Sequence, residues 1–280
     1  MHKIYGVIGD PIEHSMSPTI HNDAFKTQNI KAAYHHFHVQ TENLPDAVRG
    51  MKAIGVSGFN VTIPHKEAVI PLLDEVEEVA LAIGAVNTVV NRDGKFIGYN
   101  TDGKGFLKAL RDQYHYTLAG KKILIIGAGG AARGIYFTLV KESIHLIDIA
   151  NRTPEKAENL IAECPYEKTS CALSIAEAEK SLGEYDVIIQ TTSAGMSPNM
   201  EAAPIKIEHI KKGAFVSDII YNPLQTKFLK EAEQHGAAIQ NGLGMFAHQA
   251  AFAFEIWTGV NPDTERMKQI VLDKLGGNRC

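Results

Sequence analysis

Read for hydrophobic periodicity, the chain alternates short apolar runs with longer amphipathic stretches along its whole length. Ile4 to Ile8 reads as a strand, ended by the turn Gly9-Asp10-Pro11. Ser17 followed by Pro18 reads as a helix start, a hydroxyl cap with proline in the first helical position. That helix runs through Ile20, Ala24 and Phe25 and ends before Asn29. Ala33 to Val39 is a second strand and Leu44 to Ile54 a second helix. A third strand opens at Gly58, where Phe59, Val61 and Ile63 alternate with Asn60 and Thr62. Pro64 stops it, having no N–H to donate. Glu75 to Ile83 predicts an acidic helix stopped at Gly84. Ala85 to Val90 and Lys95 to Tyr99 form a hairpin about the Asp93-Gly94 turn. Asp102 then reads as the cap of a helix through Phe106, Leu107 and Leu110. The strand–helix–strand–helix–strand order implies a mostly parallel sheet with right-handed crossovers.

The pattern changes after Tyr114 to Gly120. Lys121 to Ile126 becomes fully apolar after its two lysines, as a central parallel strand requires. A helix follows through Ile135 and Leu139. Further strands are expected at His145 to Ala150, Glu184 to Gln190, Phe215 to Ile219 and Ala237 to Gln240, with helices between. Phe246 to Trp257 is a nearly apolar helix, and Asp263 to Leu275 an amphipathic last one. The fold class is α/β, in two domains.

Composition narrows the function classes. The 280 residues are 45% hydrophobic and 21% charged, an ordinary balance for a globular chain with a buried core. A net charge of −4 lacks the clustered Lys and Arg of a nucleic-acid footprint. Met1 to Gly6 has no apolar signal region, and no apolar run approaches the roughly 18 residues of a membrane span. Three cysteines, Cys164, Cys171 and Cys280, lack metal-type spacing and fit free thiols in the cytoplasm. His35, His36 and His38 invite a metal reading. Strand alternation splits them between two faces, and no carboxylate cluster is evident nearby, so no metal is expected.

The candidate chemistry lies at element ends. Asn60, Thr62 and Lys66 present an amide, a hydroxyl and an ammonium from one strand-to-turn segment. That suits a small polyhydroxylated ligand, or equally an ordinary strand with a polar face. Ser15 and Ser17 are donors at a helix mouth, unless Ser17 only caps the helix. The hairpin brings Asn87 close to Asp102 across 15 positions. Gln249 interrupts an apolar helix, where a buried amide must bond either to backbone or to a ligand.

Gly127-Ala128-Gly129-Gly130-Ala131-Ala132 follows the apolar strand and opens a helix, the G-x-G-x-x-G/A pattern in its required setting. Gly127 permits the tight turn, Gly129 lets backbone approach a pyrophosphate, and Ala132 allows close helix packing. The helix N-terminus offers N–H groups and its dipole to phosphates; helix–strand packing alone is the plainer account. At the end of the next strand stands Asn151-Arg152-Thr153, with Lys156 beyond. Arg152 can bind a ribose 2′-phosphate in a fork and Lys156 adds charge, which favours NADP. Asp148, acidic but three residues short of the strand end, complicates that reading.

With these residues assembled, the chain resembles the shikimate dehydrogenase family over essentially its whole length. The resemblance rests on Ser15-Met16-Ser17-Pro18, Asn60 to Lys66, Gly84 to Thr88, Asn100-Thr101-Asp102-Gly103, the Gly127 to Ala132 motif, Asn151-Arg152-Thr153, and Asn241 to Met245 with Gln249. Lys156 stands where many relatives place a second Arg. The resemblance implies a substrate domain of residues 1–102 completed by helices in 242–280, and a Rossmann-type NADP-binding domain of residues 103–241. It implies that Ser15, Ser17, Thr62, Asn87, Tyr221 and Gln249 hold substrate, with Asn60 contributing. Lys66 and Asp102 become the catalytic pair. Glu78, Ile219 and Gly242 match further cofactor-contacting positions beside Gly127, Ala128, Gly129, Gly130 and Ala131. The implied reaction is reversible NADPH-dependent reduction of 3-dehydroshikimate to shikimate, in aromatic amino-acid biosynthesis, by a monomer or homodimer. Rival readings are a quinate/shikimate dehydrogenase with broader substrate or NAD use, and a non-catalytic sensor that kept the fold.

Overall fold

The computed structural model describes residues 2–276; Met1 and residues 277–280, with Cys280 among them, lie outside the described residues. The chain divides into two compact units, residues 1–101 with 247–280, and residues 102–246.

The first unit is built on a six-stranded sheet in the order β2-β1-β3-β5-β6-β4. Strand β1 (Lys3–Gly9) lies between β2 (Ala32–His38) and β3 (Gly58–Val61), parallel to both. Being central it is buried over its last five residues, and all four residues of β3 are buried. Strands β5 (Thr88–Arg92) and β6 (Lys95–Tyr99) form the antiparallel hairpin. Asp93 and Gly94 both have positive φ (52° and 86°), as the tight two-residue turn between right-twisted strands requires.

Where an acidic helix from Glu75 was expected, Glu75–Val76 instead forms a short strand, β4, parallel to β6. The hairpin's open edge captures the segment: Asp74 N–H donates to Phe96 O and Glu77 N–H to Gly98 O. Unpaired ladder groups on an edge outweigh local helix propensity. The helix, α3, is confined to Glu78–Ile83 and stops at left-handed Gly84. Helices α1 (Ser17–Thr27) and α2 (Leu44–Ala53) are the crossovers of the parallel part. One apolar core joins Ile8, Val48, Phe59, Val61, Val89 and Phe96.

Strand β2 departs from simple alternation. His36 and His38 are exposed, but Tyr34, on the same parity, is 1% exposed. Helix α1 covers it: the Asn22 side chain bonds to both Tyr34 N–H and Tyr34 C=O, each at 2.9 Å. Carboxylates do adjoin the histidines, contrary to expectation. His38 Nε2 lies 2.7 Å from Asp10 and its Nδ1 3.8 Å from Glu13. The Asp10 hydrogen bond raises the His38 pKa. The described residues hold no group of three or more such side chains that could bind a metal.

On the buried face of α1, His21 is fully buried and stacked on Tyr34 at 4.6 Å, with Trp257 at 5.2 Å. Neither ring nitrogen has a hydrogen-bond partner among the described residues. Burial therefore drives its pKa down to about 3. The folded state refuses a proton that the unfolded chain accepts below pH 6.5, so stability falls as pH drops from about 6.5 toward 3. His21→Leu is expected to flatten that acid limb by about 2–3 kcal/mol at pH 4.5. Thermal melts at pH 7 and pH 4.5 check it; an unchanged difference in midpoint between wild type and variant contradicts it.

The second unit carries an all-parallel sheet in the order β12-β11-β10-β7-β8-β9. Its strands are β7 (Ile123–Ile126), β8 (Ile147–Ala150), β9 (Ala172–Leu173), β10 (Val187–Gln190), β11 (Phe215–Asp218) and β12 (Ala238–Gln240). Counted within the unit, this is the 3-2-1-4-5-6 arrangement of doubly wound dinucleotide-binding sheets. Helices α4 (Asp102–Gln113), α5 (Gly130–Lys141), α6 (Pro154–Glu163), α7 (Ile175–Ser181) and α8 (Lys227–Gln234) accompany it. Ser174 and Glu177 form a reciprocal capping box at α7.

Helix α9 spans Leu243–Thr258, beginning three residues before the expected Phe246. Asn241 explains the earlier start: its side-chain oxygen accepts the Leu243 N–H at 3.1 Å, and Phe246 N–H already bonds to Gly242 O. Helix α10 (Thr264–Lys274) is capped by Asp263 and tied to α1 by the two-pronged Arg266–Asp23 pair. No helix among the described residues is long and apolar enough to cross a membrane.

Candidate active site

In the first unit the candidate side chains collect at the carboxyl ends of β1 and β3. Strand β3 ends on Val61. Thr62 N–H then donates to Ile8 O, and His65 N–H to Thr62 O, which turns the chain. Ile63, read from alternation as inward, is 74% exposed because the strand has already stopped. Lys66 is half-buried, and its carbonyl accepts the Val86 N–H at 2.8 Å. Val86 precedes Asn87, and Asn87 grips Thr101. Its Oδ1 accepts the Thr101 N–H at 2.8 Å and its Nδ2 donates to Thr101 Oγ1 at 2.9 Å. Asp102 follows in the chain as the first residue of α4, not the residue before it.

The two serines exchange their expected tasks. Met16, not Ser17, occupies the cap position of α1, and Ser17 is the helix's first residue. Ser15 Oγ takes the Ser17 N–H at 3.3 Å, leaving the Ser17 hydroxyl for other work. Pro18 fixes the helix start whichever residue precedes it, which is why the sequence misplaced the cap by one. Asn60 is buried, and both its amide hydrogens are committed, to Asn87 O at 3.1 Å and Thr88 Oγ1 at 3.0 Å. Its oxygen accepts the Tyr34 hydroxyl at 2.6 Å. Gln249 lies half-buried on α9, and Glu78 is exposed at the start of α3.

In the second unit the loop after β7 has the conformation a phosphate cradle needs. Gly127 has φ +112°, and a Cβ there would lie 2.6 Å from Thr191 Oγ1. Gly129 caps α5 and Gly130 begins it; a Cβ on either would meet open space. Ala128 in the loop and Ala131 in the first turn of α5 are half-buried, and Ala132 is fully buried. The loop lies where β7 borders β10, the point at which strand order reverses. The first-turn N–H groups of α5 lack intrahelical acceptors and point toward that open side, so a pyrophosphate fits.

At the end of β8, Asn151 Nδ2 donates to Thr153 O, while Arg152 and Lys156 are exposed at the N-terminus of α6. Asp148 no longer complicates the cofactor reading. Its oxygens accept from Cys171 N–H and the Tyr185 hydroxyl, each at 2.9 Å, with Lys122 3.7 Å away.

At the end of β11 the buried Asp218 accepts from Ile220 N–H and the Thr226 hydroxyl, and burial pushes its pKa up to about 6. This shapes the turn bearing Ile219 and Tyr221. A Cβ at Gly242 would fall 1.9 Å from Ile219 O, so only glycine permits that approach. The Tyr221 ring packs on Phe246 at 4.8 Å, and burial raises its hydroxyl pKa.

A doubly wound dinucleotide unit, joined in one chain to a unit rich in hydroxyl, amide and ammonium groups, defines a nicotinamide-dependent oxidoreductase acting on a small polar alcohol or ketone. Comparison with known proteins makes the assignment particular. The shikimate dehydrogenase substrate binding domain matches residues 7–89, the shikimate / quinate 5-dehydrogenase family residues 109–220, and the shikimate 5′-dehydrogenase C-terminal domain residues 242–272. Shikimate dehydrogenase (NADP(+)) of Geobacillus sp. strain WCH70 is 56% identical over 277 residues, covering 99% of this chain and all of the relative. The Listeria monocytogenes shikimate 5-dehydrogenase, solved with shikimate and NAD, has a TM-score of 0.91 at 34% identity, over 96% of each chain. The Thermus thermophilus enzyme, solved with NADP(H) and shikimate, has a TM-score of 0.88 at 33% identity, over 97% of this chain and 99% of that one. The chain belongs to the shikimate dehydrogenase family.

Proposed function

We propose that the protein reversibly reduces 3-dehydroshikimate to shikimate with NADPH, the first unit holding the substrate and the second the cofactor. One observation carries the residue assignment: a continuous path of backbone and hydrogen bonds from Lys66 to Asp102. Lys66 O is bonded to Val86, Val86 adjoins Asn87, and Asn87 holds Thr101, the chain neighbour of Asp102. That path supports reading Lys66 and Asp102, 36 positions apart, as a catalytic pair.

Bound NADPH supplies the hydride to the ketone carbon. The Lys66 ammonium stabilises the charge gathering on the carbonyl oxygen and gives it a proton, completing the CH–OH group. Asp102 keeps Lys66 charged and oriented and accepts from the reacting hydroxyl. Ser15, Ser17, Thr62, Asn87, Tyr221 and Gln249 bind the carboxylate and the remaining hydroxyls. Asn60 contributes through its oxygen, since both its amide hydrogens are committed within the fold. Arg152 and Lys156 take the 2′-phosphate, with Asn151 and Thr153 shaping their turn. Glu78, Ile219 and Gly242 are further cofactor contacts in this reading. In the cell the protein works in the cytoplasm as a monomer or homodimer, which size-exclusion chromatography with light scattering distinguishes.

Absorbance at the reduced-cofactor band tests the activity directly. Shikimate with NADP is expected to give turnover well above shikimate with NAD and above quinate with either cofactor. Equal kcat/KM for quinate would make the protein a broader quinate/shikimate dehydrogenase. Binding of shikimate and NADP without turnover would make it a sensor.

A further inference from the structure

We propose that His36, on the edge strand β2, is a positioning residue for shikimate binding: it holds the Ser15 carbonyl and so aims the Ser15 hydroxyl. The inference rests on the reading of Ser15 as a substrate contact.

Ser15 stands in the segment of residues 10–16 that joins β1 to α1. Within that segment Ser15 N–H donates to Ile12 O at 3.0 Å, and the Ile12 side chain is buried. Two further holds come from β2, the edge strand beside β1. His36 and His38 lie two positions apart and so share one face of β2; they pair in register with Val7 and Gly9 of β1. His38 Nε2 lies 2.7 Å from Asp10 Oδ1 at the start of the segment, and His36 Nε2 lies 2.9 Å from Ser15 O near its end. The two histidines thus clasp the segment at both ends.

The hold on Ser15 has a fixed direction. A carbonyl oxygen can only accept, so His36 Nε2 carries the hydrogen. The neutral Nε2–H tautomer and the imidazolium both supply it, so the bond survives a change of protonation. Ser15 Oγ accepts the Ser17 N–H at 3.3 Å. With its carbonyl and its hydroxyl oxygen engaged, Ser15 is left with the hydroxyl hydrogen to give, which is what a carboxylate or hydroxyl oxygen of a ligand requires. Without His36 the peptide after Ser15 is free to turn, and the hydroxyl turns with it; binding then has to order it first. His36 is exposed and Ser15 half-buried, so truncating the imidazole opens no cavity and lets water reach the carbonyl. His38 still holds Asp10 in that variant. A loss of affinity there reports on the aim of Ser15, not on a damaged core.

Shikimate titrated calorimetrically into the protein gives its affinity, and steady-state kinetics with NADP give kcat and KM for each substrate. His36→Ala is expected to weaken shikimate binding about fivefold, the worth of roughly one hydrogen bond, with kcat and KM for NADP within about twofold of wild type. His36→Gln is expected to restore binding to within about twofold of wild type, because its amide nitrogen reaches the place of Nε2 and donates as it does. Ser15→Ala should weaken binding at least as much as His36→Ala. The double variant should bind no more weakly than Ser15→Ala alone, since His36 acts through Ser15. Multiplying effects in the double variant, or His36→Gln binding as weakly as His36→Ala, mark a merely structural histidine and overturn the inference. So does a His36→Ala affinity within about twofold of wild type. If that result comes with a weak Ser15→Ala, only the role of His36 fails. If Ser15→Ala itself binds normally, the contact reading fails and takes this inference with it.

Discussion

Lys66→Ala is expected to lower kcat about a thousandfold while KM for shikimate changes by less than about threefold. The asymmetry follows from what an ammonium does in this reaction. Charge gathers on the carbonyl oxygen only as hydride arrives, so Lys66 earns its effect in the transition state and scarcely in the ground state. Its backbone is secured through Val86, so truncating the side chain leaves the turn intact. Asp102→Asn is the companion measurement. It should lower kcat comparably if the carboxylate holds Lys66 charged, and hardly at all if its task ends at the start of α4. A Lys66→Ala enzyme with kcat within tenfold of wild type removes Lys66 from the chemistry.

The second large effect concerns the cofactor. Replacing Arg152 and Lys156 together by alanine is expected to cut kcat/KM for NADP about 10–100-fold, leaving the value for NAD within twofold. A 2′-phosphate offers a doubly charged, three-oxygen target to a guanidinium fork; NAD's ribose hydroxyl offers neither charge nor a second acceptor. The structure strengthens the expectation by accounting for Asp148. Its oxygens are held by Cys171 N–H and the Tyr185 hydroxyl beside Lys122, so it is engaged inside the fold rather than at the strand end. Matched kinetics with both cofactors decide the point, and equal losses for NADP and NAD would mean a damaged fold rather than a lost phosphate site.

Much of this arrangement was legible in the residues themselves. The apolar run to Ile126 followed by Gly127 announced a central parallel strand and its tight turn, because both depend on local chemistry. Asp93-Gly94 announced the hairpin for the same reason. Other features were not local. Glu75 and Val76 became a strand because the edge of β6 had ladder groups to offer them. Tyr34 was buried against its strand's parity because α1 lies over it. His21 gave no sign that both its nitrogens would be left without partners.

The candidate site divides along the same line. Residue types and their order along the chain determined by themselves a two-domain α/β chain with a dinucleotide-binding turn, and its motifs carried the resemblance to the shikimate dehydrogenase family, since glycine turns, polar strand ends and a basic turn each carry their meaning in a few neighbouring positions. Only the tertiary structure decided which polar groups the fold consumes. In sequence Asn60 read as a ligand contact or as part of an ordinary polar strand face, and Asp148 complicated the cofactor reading; in the fold Asn60 accepts from Tyr34, and Asp148 from Cys171 and Tyr185. A buried polar atom must find its partner wherever the folded chain supplies one, and that partner may stand dozens of positions away.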